Sequence, residues 1–221
     1  MDQFAIAMGK AANAIFLDTS DMEYEYVPLN LGTRKIIIAC TNKKRGLVDS
    51  KYNERRAECE EALKRINKKI HADSLGKITL DEFEEVKGVI EDLTLIKRVR
   101  HVIYENWRTV HAAQCLKNDN LIEFGKLMNE SNESLRVDYE VTGLELDALT
   151  DAAVKQPGVL GSRMTGAGFG GCTVNIVQDR YVTPFIEQVG AIYKDKIGYD
   201  ADFYVITSAG GPGILEADEE F

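Results

Sequence analysis

No two cysteines in this chain stand at C-x-x-C spacing, and no apolar stretch approaches the length of a bilayer span. Each absence removes a class of function. Cys40, Cys59, Cys115 and Cys172 are too scattered to suggest a zinc ribbon, and they read as reduced, mainly structural thiols. The three histidines, His71, His101 and His111, have no Cys or His partner at zinc-ligand spacing, so no metal site is expected. Excess positive charge is also missing. A net charge of -9 argues against general nucleic-acid binding, which needs a concentrated basic face. With no secretory core and no membrane span, the chain is expected to be cytoplasmic and to have no membrane partner. Neither an internal repeat nor a low-complexity tract is present.

With 221 residues and 44% hydrophobic content, the chain can form one large domain or two small ones. Asp2 stands where it could cap a short amphipathic helix running through Met8. Residues 14–18, 24–29 and 35–40 read as strands. Residues 50–69 form a densely charged helix, and Leu93, Ile96, Val99, Val102, Ile103, Trp107 and Val110 have the spacing of a second, long one. Shorter helices are expected over 121–128 and 143–154, and a crossover helix over 184–196 between strands at 172–177 and 201–207. The mixture gives an α+β fold. The acidic end, 216–221, reads as a frayed tail.

The densest cluster of glycines is GSRMTGAGFGGCTVNIV, residues 161–177. Gly166, Gly168 and Gly171 formally satisfy G-x-G-x-x-G, but a dinucleotide site needs a strand before the glycines and a helix after them. Here the order reads as a loop feeding a strand, because Cys172, Val174 and Ile176 alternate with Thr173, Asn175 and Val177. Two readings remain: an anion-binding concavity of backbone amides, or a tight, ligand-free turn entering a buried strand. A calcium loop at 73–83 fails on ligand count. Gly76, Ile78 and Glu82 fall correctly, but His71 and Leu75 stand where oxygen ligands are required. A helix break with a new N-terminal cap fits that segment better.

Several segments, MDQFAIAMGK, CTNKKRGLVDSKYNERRAECEEAL, RHVIYENWR, FGKLMNESNESLR, ELDALTDAA and GVLGSRMTGAGFGGCTVNIV, closely resemble the galactokinase family of GHMP sugar kinases, in the same order. The resemblance is weakest over about 64–89. It implies transfer of the γ-phosphoryl group of ATP, with Mg2+, to the anomeric hydroxyl of galactose. It also implies a ferredoxin-like GHMP kinase C-terminal domain over 49–221, preceded by a short remnant of the N-terminal domain over 1–48.

By the same resemblance, Asp2 matches the catalytic aspartate beside the attacking sugar hydroxyl, where a carboxylate can accept the proton or orient the hydroxyl. Tyr52 matches a residue lining the galactose pocket. Arg45 matches a basic position near that carboxylate, where its charge would favour the ionised acid. Gly166, Gly168, Gly170 and Gly171 fall in the active-site glycine-rich loop. Asn132 stands where the family often carries histidine. The family's upstream sugar-gripping segment and phosphate-cradling loop do not occur in these residues, so the chain reads as a C-terminal fragment. It is expected to be inactive alone, to bind neither ATP nor Mg2+ tightly, and to self-associate through surface exposed by truncation. An N-acetylgalactosamine kinase and a noncatalytic galactose sensor that binds a regulatory protein are the alternatives.

Overall fold

The computed structural model describes the backbone of residues 2–43 and 48–212, with side chains from 3 and from 51 in the two stretches. A short helix α1 (Asp2–Ala7) precedes strands β1 (Asn13–Leu17), β2 (Tyr24–Pro28) and β3 (Arg34–Cys40). Helices α2 (Val48–Ile66), α3 (Leu80–Val86), α4 (Leu93–Lys117), α5 (Leu121–Val137) and α6 (Leu144–Ala153) follow. The chain then forms β4 (Val159–Thr165), β5 (Cys172–Gln178), α7 (Val182–Ile197) and β6 (Asp202–Ile206).

Strands β3 to β6 form one sheet in the order β4-β5-β3-β6, antiparallel at each pairing. The connectivity is strand, helices, two strands, helix, strand, which is the ferredoxin-like arrangement that the family resemblance implies. β5 and β6 run parallel on either side of β3, so α7 is the crossover helix that such a pair requires. One sheet face carries Ile37, Ala39 and Val177 into a core with Leu149, Phe185, Val189 and Tyr193 from α6 and α7. The buried Tyr193 hydroxyl donates to the Thr41 carbonyl at 2.6 Å, which fixes the end of β3 against α7.

A second core joins α2, α3 and α4 through Ala62, Ile66, Phe83, Val86, Val99 and Ile103. The helix break and new cap expected within 73–83 are present. Thr79 accepts from the Glu82 amide while the Glu82 carboxylate accepts from the Thr79 amide, a reciprocal capping box that starts α3. Asp92 caps α4 by accepting from the amides of Thr94 and Leu95. Arg98, 2% exposed, links these helices to the α5–α6 connection: it donates to Glu58 at 2.7 Å, the Asp138 carbonyl at 2.6 Å and Glu140 at 2.9 Å. Glu58, in turn, also accepts from Arg55 at 2.6 Å, which gives it a structural role.

The β1–β2 ribbon packs through Val27 on Ala113, Leu116 and Leu121, at the junction of α4 and α5. Helix α5 lies so close to β4 that a Cβ on Gly125 would meet the Leu160 carbonyl carbon at 2.7 Å. One on Gly161 would meet the Gly125 oxygen at 2.5 Å. At this distance, side chains of α5 reach the outer edge of β4. Asn129 accepts from the Ser162 amide at 2.9 Å, and Asn132 accepts from the Met164 amide at 3.0 Å.

Three sequence expectations change. A strand, β4, does precede the glycine cluster, so the glycines form the tip of a hairpin; the dinucleotide motif still fails, because β5 rather than a helix follows. Helix α5 continues well past residue 128. The cysteines are not all thiols: Cys40 and Cys172, separated by 132 residues in sequence, form a disulfide because antiparallel register places them opposite each other on β3 and β5. Cys59 and Cys115 are free.

Candidate functional site

The glycine-rich tip of the β4–β5 hairpin is held by two neighbouring segments. Gly166, Gly168, Gly170 and Gly171 all have positive φ, as does Phe169 between them. At Gly168, φ is 84° and any Cβ would collide with the Val141 carbonyl, so glycine is required twice over. The Phe169 amide donates to that same carbonyl at 2.6 Å, pinning the tip to the α5–α6 connection. On the other side, the Thr41 amide donates to the Gly171 carbonyl at 2.8 Å. The aliphatic stem of Lys43 lies under Gly170, where a Cβ would stand 3.2 Å from Lys43 Cδ. Lys43 Nζ then reaches Glu145, in the first turn of α6, at 2.9 Å. The tip is thus a shaped wall with part of its polar backbone already satisfied internally.

The sequence-derived site residues fare differently. The four glycines lie together. Tyr52 lies on α2 and is 56% exposed. Asp2 is the first residue of α1, and its side chain lies outside the described residues. Arg45 also lies outside them. The described contacts of the α1 region run to β2 and to residues 210–211: Phe4 meets the Tyr24 ring edge-on at 5.2 Å, Met8 accepts from the Tyr26 hydroxyl at 2.8 Å, and Gly9 accepts from the Gly211 amide at 2.7 Å. Lys43, Val141 and Glu145 were not singled out from the sequence, since contacts between residues 28 positions apart (Val141 and Phe169) and 102 apart (Lys43 and Glu145) carry no linear sign.

Other titratable groups near α2 serve packing. His101 stacks on Tyr139 at 4.4 Å, and its Nδ1 pairs with the Ser134 hydroxyl at 3.0 Å. Burial pushes the His101 pKa down to about 4, which leaves the ring neutral near pH 7. Burial also raises the Tyr139 phenol and the Cys59 thiol, whose Sγ lies 3.8 Å from the Tyr139 hydroxyl. Asn132, where the family often has histidine, is 5% exposed and ties α5 to β4 and α6; its Nδ2 donates to Thr150 at 3.2 Å. Among the described residues, no group of three or more His, Cys, Asp or Glu is placed to hold a metal. No described helix is long and apolar enough to cross a membrane.

Two further concavities lie apart from the glycine tip. One, of about 330 Å³, lies between β1, α4, α5 and the sheet, with Glu105, Arg108 and Arg163 at its polar end. The other runs between the β1–β2 turn, residues 74–81 and α4. Neither is lined by Tyr52 or the loop glycines.

Residues 112–194 match the family described as GHMP kinases C terminal. Together with the ferredoxin-like sheet and its glycine-tipped hairpin, this match shows that the chain carries a GHMP kinase C-terminal domain. Within that class it is similar to galactokinases. The Lactiplantibacillus plantarum galactokinase is 56% identical over 97% of this chain and 56% of its own length. The Clostridium acetobutylicum galactokinase is 58% identical over 96% of this chain and 54% of its own. Among solved structures, Lactococcus lactis galactokinase complexed with galactose superposes with a TM-score of 0.91 at 50% identity, covering 95% of this chain and 54% of that one. The chain therefore spans about half the length of the relatives it matches.

Proposed function

We infer that these residues form the C-terminal part of a galactokinase, which as a whole protein transfers the γ-phosphoryl group of ATP to the anomeric hydroxyl of galactose with the help of Mg2+. The observation that carries this reading is the TM-score of 0.91 at 50% identity to a galactokinase complexed with galactose. In this reading, Asp2 orients or deprotonates the attacking hydroxyl, Arg45 keeps that carboxylate ionised, and Tyr52 contributes a wall and a hydroxyl to the sugar pocket. The glycine tip shapes one side of the cleft. Its pinned backbone supports this wall-like role, because the Phe169 amide is already committed to Val141 and is not free to cradle a phosphate. The bound nucleotide and metal supply the phosphoryl donor and its charge neutralisation; the residues of this chain position the acceptor.

The 221 residues alone are assigned no measurable turnover, since phosphoryl transfer depends on positioning and on electrostatic stabilisation of the phosphates. The test is a coupled ADP-release assay with galactose and Mg2+, run on this chain and on the product of its complete native reading frame. Turnover by the complete product and none by the chain is the expected result. Galactose-dependent turnover by the chain overturns its assigned inactivity, and a complete product inert toward galactose overturns the kinase reading. Self-association of the chain is a further part of the proposal, checked by sedimentation; a monomer at all concentrations would contradict it.

A further inference from the structure

The Cys40–Cys172 disulfide stands at the two stems of the glycine-tip assembly. Cys172 is the first residue of β5, directly after Gly171, and Cys40 is the last residue of β3, directly before Thr41. The Thr41 to Gly171 hydrogen bond flanks the pair on the loop side, as expected for a non-hydrogen-bonded antiparallel position where side chains approach closely. Thr165, the last residue of β4, pairs with Cys172, so the ends of three strands meet here. Beyond these stems, Lys43 packs on Gly170 and pairs with Glu145. One covalent bond therefore ties the glycine-rich tip to the 41–43 segment that packs beneath it.

Both cysteines are partly exposed, so small thiols and disulfides can reach them. Cys59 and Cys115 offer no competing pair: Cys59 sits against Tyr139, Cys115 is buried, and burial disfavours the thiolate of each. We propose that Cys40 and Cys172 form a reversible thiol–disulfide site that sets the order of the glycine-rich tip at 166–171. A dithiol reductant breaks the Cys40–Cys172 bond. Its two thiol hydrogens pass to the cysteine sulfurs as it becomes a cyclic disulfide. In the reverse direction, a low-molecular-weight disulfide oxidises the two thiols and leaves as two thiols. In the reduced state, the strand ends at residues 40 and 172 are joined only by the ladder, and the tip opens more often.

The test uses this chain equilibrated in ratios of oxidised to reduced glutathione, quenched by alkylation under denaturing conditions and read by peptide mass spectrometry. Oxidising ratios should give a Cys40–Cys172 linked peptide with Cys59 and Cys115 alkylated, and reducing ratios should give four alkylated cysteines. Hydrogen exchange of the peptide spanning 165–171 should be at least severalfold faster in the reduced form. Cys40→Ser should exchange at the reduced rate under both conditions, while a Cys59→Ser, Cys115→Ser double variant should keep the response. Absence of the linked peptide at every ratio, or equal exchange of the tip in oxidised and reduced wild-type chain, overturns the proposal. The wild-type comparison decides the matter even where Cys40→Ser does not fold, and it does not depend on phosphoryl transfer.

Discussion

Asn132 and Met164 are joined by a 3.0 Å hydrogen bond in which a side-chain oxygen of α5 takes the place of a neighbouring strand's carbonyl. Asn132 is buried, and its other end donates to Thr150, so one amide connects α5, β4 and α6. Asn132→Ala removes both bonds and leaves a buried backbone amide without a partner. Such a change costs about 1–3 kcal/mol. Urea unfolding should show that loss; an unchanged midpoint would mean that the bond contributes nothing to stability.

The α5–β4 approach gives a second prediction. Gly125→Ala drives a Cβ into the backbone of Leu160, where no flexible side chain can give way, and overpacking of this kind costs about 1–3 kcal/mol. Gly88→Ala is the control, because nothing lies within 4 Å of its Cβ position. The two variants, compared by thermal unfolding, should separate clearly, with Gly88→Ala at or above wild type.

Among the described residues Arg98 is the largest fully buried side chain, and its guanidinium serves Glu58, Glu140 and the Asp138 carbonyl. Arg98→Met takes a donor from the largely buried Glu58 and from the Asp138 carbonyl, while the half-exposed Glu140 keeps water and Lys97, and removal of one member of a buried charged network costs about 3–5 kcal/mol. Glu58 keeps Arg55 as a partner, which places the expected loss at the low end. A loss below about 1 kcal/mol would contradict this account of the network.

Acid should act partly through His101. Its folded-state pKa of about 4 lies below the ordinary 6.5, so between those values the unfolded chain binds more protons and stability falls as pH falls. The contribution is on the order of 3 kcal/mol, present above pH 6.5 and lost on the way down to about 4. The ring is faced by Glu105 and Asp138, which favour its charged form, and by Arg108 and Arg163, which oppose it. His101→Gln should flatten that part of the pH profile; an identical slope in both proteins would remove His101 as the cause.

The long apolar spacing of α4, a helix break with a new cap within 73–83 and the alternating strand β5 were legible in the sequence because each expresses a local rule. β4 was not. Its sequence, VLGSRMT, places Gly161 where α5 crosses, and its outer amides are satisfied by Asn129 and Asn132, residues about thirty positions earlier. The same asparagines, with Ser131 and Ser134, make the second half of α5 look too polar for a buried helix, although Ser131, Asn132 and Ser134 are all buried. The glycine tip was recognisable from its composition, whereas its anchors at Val141, Lys43 and Glu145 depend on tertiary contacts. The disulfide follows from strand register, which cysteine spacing does not encode.

The two edges of the main sheet are unlike. On β4 the asparagines occupy the positions through which another strand would bond, while β6 carries Tyr204, Val205 and Ile206 largely exposed, at 54%, 48% and 39%. Among the described residues, the Ser162 and Met164 amides of β4 are already taken, so an incoming strand would find fewer free donors at β4 than at β6. Were the proposed self-association to run through this sheet, a two-fold β6–β6 pairing would turn the asparagine-capped β4 edges outward and resist growth into a fibre.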